Sequence, residues 1–114
     1  MTVDNAAPVA SNPTDAAGAG TFDIDSALYI GGTAVTADGT TDITGELAEP
    51  VTDAAGNVTS ITFDGTTITV NHGAGNPGDT ISLDLTQFTD AAGNPMTGTF
   101  DLTNTAGTWG AALN

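Results

Sequence analysis

The sequence has no lysine, no arginine and no cysteine, few aromatic residues and no long apolar run. Each absence removes a class of function. Without basic side chains, the 114 residues carry 14 acidic groups against a single histidine, for a net charge of −14. Nucleic acid is excluded as a partner, because binding it rests on neutralising phosphates with Lys and Arg. Anionic membrane surfaces are excluded on the same ground, and membrane insertion by the lack of a stretch of spanning length. Without cysteine there is neither a disulfide nor a thiolate. One Trp, one Tyr and four Phe leave little from which to build an aromatic platform. The opening MTVDNAAPVA has neither the basic region nor the apolar run of a signal peptide.

What is present is an acidic, threonine-rich chain. Its length suits one domain over residues 1–114, with about two thirds of the unfolded surface removed from water on folding. Threonine occurs 22 times and is a β-branched residue that sits well on a solvent-facing pleat. A charge of this size repels itself and calls for screening by salt or bridging by divalent cations. A salt- and calcium-rich exterior supplies both, so an extracellular or cell-surface location is expected.

The apolar residues recur with period two. Phe22, Ile24, Leu28 and Ile30 share one face of a single expected strand, with Asp23, Asp25 and Tyr29 on the other. SITFDGTTITV reads as a hairpin with Asp64 and Gly65 as a two-residue loop, which sets Phe63 opposite Thr66 and Ile61 opposite Ile68. Ile81, Leu83 and Leu85 alternate in the same way. Further strands are expected near 8–10, 34–36, 41–47 and 97–103. Seven or eight short strands, with no long amphipathic helix, predict an all-β, antiparallel Ig-like β-sandwich.

One phrase recurs. Thr-Asp-Ala-Ala-Gly stands at Thr14, Thr52 and Thr89, at spacings of 38 and 37 residues, and each copy is followed by Thr-Phe-Asp. Turn chemistry accounts for every letter: the aspartate accepts from a backbone N–H two residues on, and the glycine takes the positive φ that closes a type I turn. The competing reading is a calcium loop, since hard cations take carboxylate and carbonyl oxygens. Asp23 and Asp25, on one strand face about 7 Å apart, would gain from a shared cation. Asp15, Asp23, Asp25 and Asp90 are the candidate ligands, with Ca²⁺ as the cofactor. No stretch matches the EF-hand pattern or the Gly-Gly-x-Gly-x-Asp nonapeptide.

The segments APVASNPTDAAG, LAEPV, DGTTITV, PGDTISLDL and FTDAAGNPMTGTFDLT together resemble the SbsA-type bacterial Ig-like domain of S-layer proteins and large secreted adhesins. The matching positions are Pro8, Pro13, Glu49 to Val51, Asp64 to Val70, Pro77 to Leu85 and Thr89 to Phe100, 33 of the 114 residues. Two departures stand out. Val51 runs directly into TDAAGN where the family inserts a further strand, and residues 19–45 have no close counterpart. The resemblance implies a structural or adhesive module that usually stands as one bead among many.

An enzyme is not expected. The one histidine, His72, lies in the Gly-rich NHGAGNPGD and reads as a solvated loop residue, with no base-and-nucleophile arrangement around it. GAGNPG lacks the lysine of a phosphate-binding loop. The expected function is a non-enzymatic structural subunit that assembles with copies of itself into a filament or surface layer. The contacts would come from extended segments 1–12 and 104–114, through Val3, Val9, Trp109 and Leu113, by strand addition to a neighbour's open edge. Packing of Trp109 on its own domain is the competing reading. The alternative function is a calcium-dependent adhesin or carbohydrate-binding module, with an exposed Tyr29 or Trp109 beside acidic loops. A third reading takes the Thr-rich faces as ice-binding, although the threonines show no regular long-range repeat in the sequence.

Overall fold

A computed structural model describes residues 6–114. Its strands are β1 (Ala10–Ala16), β2 (Ala19–Ile24), β3 (Tyr29–Ile30), β4 (Thr33–Ala34), β5 (Val58–Phe63), β6 (Thr67–His72), β7 (Thr80–Asp84), β8 (Thr99–Thr105) and β9 (Thr108–Leu113). They form an antiparallel β-sandwich. One sheet has the order β1-β2-β6-β5, the other is the meander β7-β8-β9, and β3-β4 is a small hairpin. The first order is that of the A-B-E-D sheet of immunoglobulin domains. No helix among the described residues is long and apolar enough to cross a membrane.

The period-two pattern becomes the core. Phe22, Ile24, Ile61, Phe63, Ile68, Val70, Ile81, Leu83, Phe100 and Leu102 are all buried in one cluster between the sheets. The rings of Phe22 and Phe100 meet with centroids 4.5 Å apart, tilted by 42°, and so fix β2 over β8. Beside them, the sheets approach closely at Gly20: a Cβ there would lie 2.6 Å from the Cδ2 of the fully buried Leu102.

Four expectations about strands need correction. Among the described residues nine strands are present, and FDIDSALYI is not one strand. β2 stops at Ile24, and the chain bends at Asp25 and Ser26 before β3; Asp25 Oδ1 accepts from Val9 N at 2.8 Å. Residues 41–47 do not form a strand. The carboxylate of Asp38 takes the N–H groups of Thr40 and Thr41, and that of Asp42 takes the N–H of Thr44, which curls the chain into a 3₁₀ turn at Thr44–Glu46. The first strand is not near Pro8 but starts at Ala10, and Pro8 itself is buried. The β5-β6 register is two residues off the expected one, with Phe63 opposite Ile68 and Ile61 opposite Val70. Asp64 Oδ1 accepts from the N–H groups of both Thr66 and Thr67, so the turn is centred on Gly65 and Thr66. A slip of two keeps every side chain on its face, which is why the core is unaffected.

The sheet edges are managed without lysine. β1 is interrupted by a register shift between Ser11 and Thr14, where Asn12 has φ 54 and Pro13 has no N–H to offer. The outer edge of β5 is covered by the preceding loop: Gly39 N and Ile43 N donate to Phe63 O and Ile61 O, and Asp42 accepts from Ile61 N. Thr52 exchanges two backbone bonds with Ser82 on the outer edge of β7. β9 lies alongside β1.

Candidate functional site

The recurring phrase builds turns, and its three copies are not equivalent. In the second, Asp53 O accepts from Gly56 N, and the Asp53 carboxylate accepts from Asn57 N at 3.0 Å and Val58 N at 2.8 Å. In the third, Asp90 Oδ1 accepts from Ala92 N and Asn94 N, and Oδ2 from Asn94 Nδ2. Gly56 and Gly93 take φ of 69° and 89°, as the turn requires. The first copy lacks the asparagine after its glycine and folds differently. Its Asp15 stays in β1, and Ala17 and Gly18, with φ of 52° and 81°, form the two-residue bend to β2.

The four candidate calcium ligands are therefore dispersed. Asp90 is buried within its own turn. Asp23 accepts from Asn12 Nδ2 and Thr67 Oγ1, whereas Asp25 lies beyond the end of β2 and holds Val9 N. Asp15 faces His72. Among the described residues no group of three or more acidic or histidine side chains converges on one point.

His72 is the residue that the sequence concealed. It is the last residue of β6 and buried, not solvated in a loop. Its Nε2 lies 2.6 Å from Asp15 Oδ2, and its Nδ1 donates to Gly73 O at 2.8 Å. The indole of Trp109 packs on the imidazole, centroids 4.6 Å apart, and donates from Nε1 to Ala74 O. The Gly-rich loop is the seat of this indole: a Cβ on Gly75 would lie 2.8 Å from Trp109 Cζ2. No spacing rule links Asp15 to His72; only the β1-β2-β6 order brings them together.

The four residues named for assembly are also resolved into separate roles. Val3 lies outside the described residues. Residues 104–114 are not a tail but the end of β8, a bend at Ala106 and Gly107, and β9. Trp109 and Leu113 are partly buried on their own core, about 14 Å apart along the strand. Val9, by contrast, is 58% exposed and the one large hydrophobic side chain so exposed among the described residues. It shares a crevice of about 170 Å³ with Leu113, Leu85 and Met96 at one end of the sandwich. Tyr29 and Trp109, the candidate ligand platforms, are both half-buried.

Four of the remaining acids share a pattern readable in the sequence, Asp-x-Thr. Asp38, Asp42, Asp64 and Asp84 each accept from the N–H and the hydroxyl of a threonine two or three residues on. These donors hold the Asp38 carboxyl down to about 2, the Thr41 hydroxyl being the largest cause. Asp42 is lowered by Ile61 N and then Thr44, Asp64 by Thr66 N, and Asp84 by the Thr86 hydroxyl. Burial pushes Asp101 up, but hydrogen bonds from Ser82, Asn114 and Thr99 outweigh it and leave it lowered. In a chain without Lys or Arg, neutral O–H and N–H donors do the work of counter-charges.

No family model, no curated protein and no solved structure matches this chain.

Proposed function

We propose that this protein is a non-enzymatic extracellular structural subunit, an Ig-like module of the SbsA type that assembles with copies of itself into a filament or surface layer. The observation that carries the reading is Val9. In a chain of net charge −14, association is opposed by repulsion, so contacts between copies fall where the surface offers apolar side chains. The exposed Val9 above the crevice of Leu113, Leu85 and Met96 is such a place. Among the strands, β1 is the one suited to exchange between copies, because Pro13 and the shift at Asn12 weaken its pairing with β2.

The non-enzymatic reading is supported by His72, whose side chain is fully enclosed and has both ring nitrogens committed. Calcium in this reading acts between copies, drawing carboxylates from two surfaces, since no three of the described acidic or histidine side chains converge within one. Electron microscopy of the purified protein, with calcium and with sodium at matched ionic strength, tests the proposal. Filaments or sheets are expected; discrete monomers at every concentration in both media would overturn it.

A further inference from the structure

A second concave site lies on the outer edge of β7. The ladder that Thr52 begins on Ser82 does not continue. The next paired position would set Pro50 opposite Asp84, and proline has no N–H to give. The edges separate there and leave a cleft of about 440 Å³, within the range of small-molecule sites. One wall is braced. The Gln87 side-chain amide donates to Glu49 O and accepts from Glu49 N, both at 3.0 Å, which fixes the segment that carries the Glu49 carboxylate.

The hydrogen-bond directions in this cleft are one-sided. The hydroxyl of Ser82 donates to Asp101 Oδ1, that of Thr99 to Asp101 Oδ2, and that of Thr86 to Asp84 Oδ1. Each of these oxygens has spent its only proton and keeps its lone pairs for accepting. Asp84 Oδ2 and both oxygens of Glu49 accept nothing from the described residues, and carboxylates are acceptors only. The wall is therefore rich in acceptors, with the Thr52 hydroxyl and the outward N–H of Asp84 as its donors, in a chain with no basic side chain to fill it. Phosphates and carboxylates are repelled. An ammonium group, with three donors and no acceptor, is complementary in both charge and hydrogen bonding.

We propose that this cleft binds an amino sugar, a hexose ring with a protonated amine, as a free unit or within a polysaccharide. A bare alkylammonium would use Glu49 and Asp84 but leave the hydroxyl oxygens of Ser82, Thr86 and Thr99 without donors. The ring hydroxyls supply those. The site goes beyond the subunit reading and does not depend on it.

Amide NMR titration of the full chain with glucosamine, glucose and cadaverine decides the matter. Glucosamine shifts are expected to concentrate on Thr52, Ser82, Asp84, Thr86 and Thr99. Its affinity should exceed those of glucose and of cadaverine by about tenfold, the worth of one charge-assisted hydrogen bond. Glu49→Gln leaves the backbone bonds to Gln87 in place and should remove most of the preference over glucose. Asp84→Asn keeps an oxygen for the Thr86 turn and should do the same. Shifts that are absent or scattered over the surface, cadaverine binding as tightly as glucosamine, or a preference unchanged in Glu49→Gln would each overturn the proposal.

Discussion

The imidazole of His72 and the carboxylate of Asp15 meet at 2.6 Å, with the histidine side chain fully enclosed and that of Asp15 nearly so. This contact ties β6 to β1, and through the overlying Trp109 it reaches β9 in the other sheet. Removing one partner of such a pair strands the other, at a cost of roughly 3–5 kcal/mol. His72→Ala should therefore lose stability on that scale in urea melts. His72→Ala with Asp15→Asn should lose clearly less than the sum of the single changes. Additive losses would mean that the two side chains stabilise the fold independently.

The turn copies differ in the depth of their aspartates, and so in the penalty for losing them. Asp90 is buried, and Asp90→Ala leaves the N–H groups of Ala92 and Asn94 without their acceptor, worth about 1–3 kcal/mol. Gly56→Val and Gly93→Val meet no neighbouring atom but force a β-branched residue to positive φ, which costs more than about 1 kcal/mol each. Denaturant midpoints unchanged in both glycine variants would contradict the turn geometry.

Close approach of the sheets predicts a different sensitivity at Gly20. Gly20→Ala puts a methyl within 2.6 Å of Leu102 Cδ2 in a core where Leu102 is fully buried. A loss of about 1–3 kcal/mol, the range of overpacked cores, is expected in the same melts.

Much of this fold was legible in the sequence, and the reasons are local. Alternation placed Phe22, Ile24, Ile61, Ile68 and Leu83 in the core because a half-buried strand leaves no other pattern. The same alternation could not reveal that Asp25 ends β2, or that Asp38 and Asp42 curl residues 41–47. Short-range side-chain bonds there compete with the ladder, and a period-two pattern is silent about them. Asp-x-Thr was readable as a turn at Asp64 and, in ADGT, at Asp38, and its recurrence at Asp42 and Asp84 was the missed signal. The candidate sites were less legible. Asp15 with His72, Val9 with Leu113, and Glu49 with Asp84 are brought together by sheet order and edge geometry, and no single segment of sequence contains both members of any pair.

Acid should report on the threonine donors. The folded Asp38 carboxyl titrates near about 2, below its ordinary 3.8, and Asp42, Asp64, Asp79 and Asp84 are lowered too. For a depressed carboxyl, the contribution to stability is complete above the unfolded value and is lost as pH falls through the folded one. Thermal stability should therefore decline from about pH 4 towards about pH 2. Thr41→Val should bring the Asp38 carboxyl carbon titration back towards 3.8; an unmoved titration would show that the threonine does not hold it.

Repulsion among the 14 acids has its own signature. Molar salt should raise the melting temperature by screening. Millimolar calcium should raise it beyond sodium of equal ionic strength only where copies share a cation. A calcium effect present in dilute monomer would place a specific site within one chain.

Sedimentation velocity on the intact protein and on Val9→Asp, over a concentration series in high salt with calcium, tests the subunit reading most directly. The account predicts that the intact chain shifts to large assemblies as concentration rises, while Val9→Asp, with an unchanged melting temperature, stays monomeric. Identical assemblies from both proteins would remove the Val9 crevice as the contact, and an intact chain that remains monomeric throughout would contradict the structural-subunit reading itself.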